Sequence, residues 1–166
     1  EKEVIGIYLS SHPLDDFRLE INTFTTARLA DLQNLRNYLD REVTVAGMVT
    51  DTRNGIGKNN KPYGSLTLQD YTDSFRFMLF DRDYIDNSKF FTIGYYLLVR
   101  GKVRKRKYRE DELEFSISQI SLLSSVKDEL IKSITLKIDP VNIDGEMIRE
   151  LRQLVSDNKG ETEMRF

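Results

Sequence analysis

Between Glu42 and Leu123 the chain alternates apolar and polar residues with a period of two, in five separate stretches. That rhythm confines the segment to strands with one face buried. In the first stretch Val43, Val45, Gly47 and Val49 share one face, and Thr44, Ala46, Met48 and Thr50 the other. The second, Tyr63 to Gln69, puts Leu66 and Leu68 inward with Ser65 and Thr67 outward. In the third, Ser74 to Phe80, Phe75, Phe77 and Leu79 alternate with Arg76, Met78 and Phe80. The fourth runs from Tyr95 to Arg104 and contains Gly101, where a small curved sheet needs a bend or bulge. The fifth alternates Leu113, Phe115 and Ile117 with Glu114, Ser116 and Ser118.

What separates these stretches fixes the layout. Asn54 to Pro62, with Gly55, Gly57 and Pro62 among Asn and Lys, reads as a flexible loop, and Lys105 to Glu112 as a charged one. Asp81 to Phe91 interleaves charges with Tyr84, Ile85, Phe90 and Phe91, as a short helix plugging a barrel end would. Five strands, a helix between the third and fourth, and long one-two and four-five loops are the OB-fold layout. The predicted fold is therefore mainly β: a five-stranded OB-fold barrel over residues 41–125, with a helical connector (1–40) before it and a small α/β element (126–166) after it. Phe75, Phe77, Phe80, Phe90 and Phe91 are assigned to the core. In the connector, Leu29, Leu32, Leu35 and Leu39 recur at helical steps behind a Ser-Ser-His-Pro turn at Ser10 to Pro13. Past residue 126, Ser133 to Ile138 reads as a strand, Asp144 to Ser156 as a helix and Glu163 to Phe166 as a further strand.

Composition excludes several classes. The 166 residues are 39% hydrophobic and 31% charged, with no apolar run near the roughly 20 residues of a membrane helix. Zero Cys and one His exclude disulfides and a thiolate or His-cluster zinc site, and suit a cytoplasmic setting. No carboxylate pair lies in an apolar context, and Gly55 and Gly57 match no phosphate-cradling motif, so neither a catalytic nor a metal site is predicted. His12, before Pro13, is read as a turn residue. The first residue is Glu1 rather than Met, which is read as a cut inside a longer polypeptide.

Net charge is −2, unevenly spread: residues 1–40 carry 4 basic and 7 acidic groups, residues 41–125 carry 14 and 11, and residues 126–166 carry 7 and 9. A polyanion would meet the basic middle. Seven of the ten residues from Arg100 to Arg109 are basic. Single-strand binders join cationic grooves to aromatic platforms, because phosphates need positive charge and every base has a π-face. The candidate nucleic-acid contacts are Arg104, Lys105, Arg106, Lys107, Tyr108 and Arg109 in the four-five loop, Arg53, Lys58, Lys61 and Tyr63 around the one-two loop, and Arg76 and Met78 on the outward side of strand three. The same basic run also reads as a solvated hairpin balanced by Glu110, Asp111, Glu112 and Glu114. Arg76 and Met78 could equally meet a neighbouring domain.

One resemblance sharpens this. EKEVIGIYLSSHPLDDF, Glu1 to Phe17, resembles the EKExxGxYLxxHPL signature ahead of the OB domain in the C family of bacterial replicative polymerases, the DNA polymerase III α subunits. VTVAGMVTDTR, NKPYGSLTLQD, FRFMLF and YLLVRGKV follow that domain in order and spacing, over about residues 1–125. The resemblance implies a parent DNA-directed DNA polymerase whose Mg²⁺-binding aspartates lie in a palm domain upstream of Glu1, so that this chain itself carries no cofactor. It also implies an OB domain contacting the single-stranded template during DNA replication, and a following domain, begun by Ser133 to Phe166, that binds the clamp-loader τ subunit. KRKYREDE is more charged than the family's usual four-five loop. Two other readings compete: a protein-interaction OB module, and the tRNA-binding OB domain of an aminoacyl-tRNA synthetase, to which YLSSHPL does not belong.

Overall fold

The computed structural model describes residues 12–57, 60–106, 109–139, 141, 143–160 and 162–165. The chain divides into two compact units, Glu1–Val126 and Lys127–Phe166. In the first, strands β1 (Glu42–Ile56), β2 (Pro62–Gln69), β3 (Ser74–Phe80), β4 (Tyr96–Arg106) and β5 (Arg109–Leu122) form one antiparallel sheet in the order β3-β2-β1-β4-β5. The length of β1 curls it. Glu42 to Met48 pair with β4, whereas Met48 to Ile56 pair with β2. Among the described strands no ladder joins β3 to β5, so the expected barrel is a curled sheet with one open seam. Rings fill that seam: Phe77 meets Phe115 edge-on at 5.3 Å, and Phe75 meets Phe77 at 4.9 Å.

The core holds the residues that the alternation places inward, among them Val43, Val45, Val49, Leu66, Leu68, Phe77, Leu79, Val99 and Val103. Helix α2 (Asp81–Asn87) and a 3₁₀ turn at Ser88–Phe90 bring Tyr84, Phe90 and Phe91 against it, as the plug was expected to. Gly64 makes this possible, because a Cβ there would lie 2.3 Å from Tyr84 and 2.7 Å from Phe91. Gly101 sits where the β4–β5 register shifts, and a Cβ would come 2.3 Å from Phe115. The extra residue is Ser118 of β5, so the bend expected at Gly101 is there but the bulge lies on the strand facing it.

Several expectations need correction. Phe80, assigned to the core, is 58% exposed, because its parity with Arg76 and Met78 turns it outward. The leucine repeat at 29, 32 and 35 forms a 3₁₀ segment, Leu29–Tyr38, broken at Asn34; three-residue spacing is the 3₁₀ period, and Leu39 falls out of phase and is exposed. The one-two loop is short, since β1 continues to Ile56 opposite Pro62. The four-five loop is shorter than expected: the ladder reaches Lys105 opposite Leu113 and, after a register shift that leaves residues 110–112 opposite no β4 residue, Arg106 opposite Arg109. Within that extension Arg104 faces Glu114 across the ladder, the one oppositely charged facing pair among its described positions. The predicted strand at Ser133 to Ile138 is only Ser133–Thr135.

The connector is packed on the sheet. Helix α1 (Arg18–Phe24) supplies Ile21 and Phe24 to a second cluster with Leu14, Ala46, Leu98, Leu123 and Val126, which buries the outer side of the first half of β1. Asp70, in the β2–β3 turn, accepts the Leu29 N–H at 2.8 Å and ties the 3₁₀ segment down. Helix α3 (Leu123–Leu130) leads out of β5. In the second unit β6 (Ser133–Thr135) pairs in parallel with β7 (Glu163–Arg165), and α4 (Gly145–Asp157) connects them, capped by the Asp144 carboxylate on the N–H groups of Glu146 and Met147.

Candidate nucleic-acid interface

A bulge builds the site. Val49 pairs with Leu68 and Asp51 with Thr67, so Thr50 is the extra residue, and beyond it the odd-numbered positions of β1 turn from inside to outside. Asp51, Arg53 and Gly55 therefore join the outward residues of β2 and β3. The register aligns them in three rows: Asp51–Thr67–Arg76, Arg53–Ser65–Met78 and Gly55–Tyr63–Phe80.

The third row is aromatic. Tyr63 lies over Gly55, where a Cβ would sit 2.9 Å from its hydroxyl, and its ring centroid is 6.4 Å from that of Phe80 at a 33° tilt. Met78 is 41% exposed, and Gly57, Pro62, Tyr63, Met78 and Phe80 line an open apolar concavity. Lys61 and Asp81 close its rim as an ion pair, which raises the Lys61 ammonium above its ordinary range. Asp81 has φ 53°, a left-handed conformation that Asp tolerates better than most residues.

In the first row one carboxylate oxygen, Asp51 Oδ2, lies 3.3 Å from Arg53 Nε and 3.4 Å from Arg76 Nη2, and Arg76 Nε donates to Thr67 Oγ1 at 3.5 Å. The hairpin is similarly paired. Arg104 meets Glu114 at 2.9 Å, Arg106 meets Glu112 at 2.8 Å and Glu114 at 3.9 Å, and Arg109 meets Glu112 at 2.7 Å. Hydrogen bonding from Arg109 holds the Glu112 carboxyl below its ordinary range, with Arg106 adding to it. Lys105 has no ion-pair partner among the described residues.

A groove of about 440 Å³ joins the two regions, with Arg76, Met78 and Phe80 on the β3 side and Arg104, Arg106, Glu114 and Phe115 on the hairpin side. Of the sequence candidates, Arg76, Met78, Arg104 and Arg106 share this groove, Arg53, Lys61 and Tyr63 lie on the adjoining sheet face, and Lys105 and Arg109 are farther out along the hairpin. Lys58, Lys107 and Tyr108 lie outside the described residues, as do most of the residues of the Glu1 to Phe17 signature. Phe80 is the residue that sequence reasoning misassigned; the alternation Phe75, Phe77, Leu79 already placed it outward.

His12 acts locally. Its N–H donates to Asp15 at 2.9 Å, its Nδ1 accepts the Leu14 N–H at 3.2 Å, and the Leu14 it positions is fully buried. Among the described residues no group of three or more His, Asp and Glu could hold a metal ion, and no helix is long and apolar enough to cross a membrane.

Comparison with known families agrees with this layout. Residues 43–123 match the family model described as an OB-fold nucleic acid binding domain. This segment is an OB-fold domain. The chain carrying it is similar to DNA polymerase III subunit alpha of Bacillus subtilis, 25% identical over 162 residues, and to that of Campylobacter jejuni, 38% identical over 81. The first match covers 98% of this chain but 14% of the relative, and the second 49% and 7%. Among solved structures, the OBody AM1L10 bound to hen egg-white lysozyme aligns over 59% of this chain and 92% of its own at 17% identity, with a TM-score of 0.45.

Proposed function

We propose that the OB domain binds single-stranded DNA, with bases on the Gly55–Tyr63–Phe80 row and phosphates along Arg53, Lys61, Arg76 and the Arg104–Arg109 hairpin, in the service of a replicative DNA polymerase. The observation that carries this is the register, which sets two neighbouring rings and Met78 on an open face between two groups of cations. Outward aromatics cost solvation unless something covers them, and a base does so without regard to sequence. Similarity to DNA polymerase III α subunits over nearly the whole chain supports the replicative setting. In that reading polymerisation and its Mg²⁺ belong to a palm domain elsewhere in a cytoplasmic parent protein, and the chain alone incorporates no nucleotide. In this reading the connector of residues 1–40 serves the barrel of residues 41–125 as part of one unit, and residues 126–166 contribute to a site for the clamp-loader τ subunit; the apolar groove lined by Ile143, Met147, Leu151 and Val155 supports a protein partner there.

Titration of labelled oligonucleotide at several salt concentrations tests the reading. Single strands should bind weakly and in preference to duplex, since one such domain normally works tethered to others. Phe80→Ala and Tyr63→Ala should each weaken binding by roughly 1 to 3 kcal/mol while keeping the salt slope. Replacing Arg104, Lys105, Arg106 and Lys107 with Ala should flatten the slope by about 0.7 for each phosphate no longer engaged. Unchanged affinity in all three variants, with the fold intact, leaves a protein-interaction face.

A further inference from the structure

Six of the seven described cations in the candidate site are held by a carboxylate of the same chain: Arg53 and Arg76 by Asp51, Lys61 by Asp81, Arg104 by Glu114, Arg106 by Glu112 and Glu114, and Arg109 by Glu112. All of these pairs are open to solvent, where an ion pair adds little to folding stability. Stability therefore does not explain why four carboxylates face the cations of one binding surface. Their geometry fits another task. A carboxylate oxygen and a phosphate oxygen accept from guanidinium N–H groups in the same way, and the separations of 2.7 to 2.9 Å at Arg104, Arg106 and Arg109 are those a phosphate would make.

Resting on the single-strand reading, we propose that Asp51, Asp81, Glu112 and Glu114 are internal stand-ins for phosphate, which hold the cations in binding geometry and are exchanged for backbone phosphates when a strand enters. Three consequences follow from electrostatics. The arginines are ordered before binding, so the strand's arrival costs less side-chain freedom. Each displaced carboxylate stays near the incoming phosphates, inside the screening length of about 10 Å at ordinary salt, and weakens the complex. Cations recruited by the freed carboxylates offset part of the counterion release from the strand, so the salt slope is shallower than the number of cations implies. A site built this way holds a strand while letting it move.

The test is fluorescence anisotropy with a labelled oligothymidylate on the full chain, comparing the unmodified protein with Asp51→Asn, Glu112→Gln and Glu114→Gln, singly and together, at several salt concentrations. The amide oxygens keep an acceptor beside each arginine and remove only the charge. Each single variant should tighten binding roughly two- to fivefold, the scale of one exposed ion pair. The triple variant should tighten it about tenfold or more, with a slope steeper by up to about 0.7 per carboxylate removed. Glu163→Gln, which removes the charge paired with Arg165 in the other unit, serves as the control and should change nothing. Thermal melts check folding, and if the triple variant melts early, Glu112→Gln at the exposed hairpin carries the test alone. Affinity that is unchanged or weaker in the folded variants, while Phe80→Ala still weakens binding, overturns the exchange and leaves the single-strand reading standing. No measurable binding by the unmodified chain overturns both.

Discussion

Asp70 shows how much one side chain can hold. Its carboxylate accepts the Leu29 N–H at 2.8 Å, the Thr72 N–H at 2.7 Å, the Thr72 hydroxyl at 2.6 Å and the Asp73 N–H at 3.0 Å, so it fastens the β2–β3 turn and the connector with the same two oxygens. Partial burial pushes its pKa up, but these hydrogen bonds outweigh it and hold the group below its ordinary value. A depressed folded pKa means stabilisation that is complete above the unfolded value, about 3.9 for Asp, and is lost as pH falls through the folded one. Asp70→Asn should thus destabilise by roughly 1 to 3 kcal/mol near neutral pH, as expected for hydrogen bonds to a charged group. In urea melts at stepped pH, the gap between the two proteins should begin to narrow below about pH 4, the unfolded Asp value, and close only as pH falls through the lower folded one. A gap that stays constant through the acid range would show that geometry, not charge, sets the effect. Nothing in the sequence marks Asp70 out from neighbouring Asp73, because its partner Leu29 is far away along the chain. Tyr63 was a candidate from its place beside a turn, and the register puts it on the outer face beside Phe80, whose outward parity was overlooked by counting it as apolar first.

At the scale of elements, the period of two located all five strands, since burial on one face writes itself into the sequence. What it could not reveal is where the phase changes. The bulge at Thr50 looks like ordinary alternation in a Val-Thr-Asp-Thr-Arg stretch, yet it carries Asp51 and Arg53 to the outer face. The extended hairpin was hidden for another reason: Lys105 to Glu112 has the composition of a loop, and only the backbone pairing of Arg104 with Glu114 and Arg106 with Arg109 shows that two strands run through it. The plug offers a sharper test of element packing. Gly64→Ala would place a methyl 2.3 Å from Tyr84 in a position that backbone pairing with β1 and β3 holds fixed. The plug helix must shift, at a cost of roughly 1 to 3 kcal/mol. Urea unfolding should register that loss, whereas Gly145→Ala, with open space around it, should be nearly silent.

For the whole molecule, the sequence drew a barrel at residues 41–125 with attachments on either side, and the question is whether that segment can fold alone. Leu29 and Leu32, from the attachment before it, are part of the main core, and Leu14 and Val126 belong to the second cluster; all four are 0 to 1% exposed. Deleting a buried Leu side chain typically costs about 2 to 5 kcal/mol, and a domain's entire stability is about 5 to 15 kcal/mol. Removing three such leucines, Val126 and the Asp70–Leu29 tie together exceeds what residues 41–125 can spare. A fragment of residues 12–130, which keeps both clusters and all of α3, should unfold cooperatively and bind oligothymidylate like the full chain. The 41–125 fragment should show collapsed amide dispersion in NMR spectra at the same temperature. If the shorter fragment instead melts as sharply as the longer one, the connector is an ornament on a self-sufficient barrel, and the buried leucines contribute far less than their exposure implies.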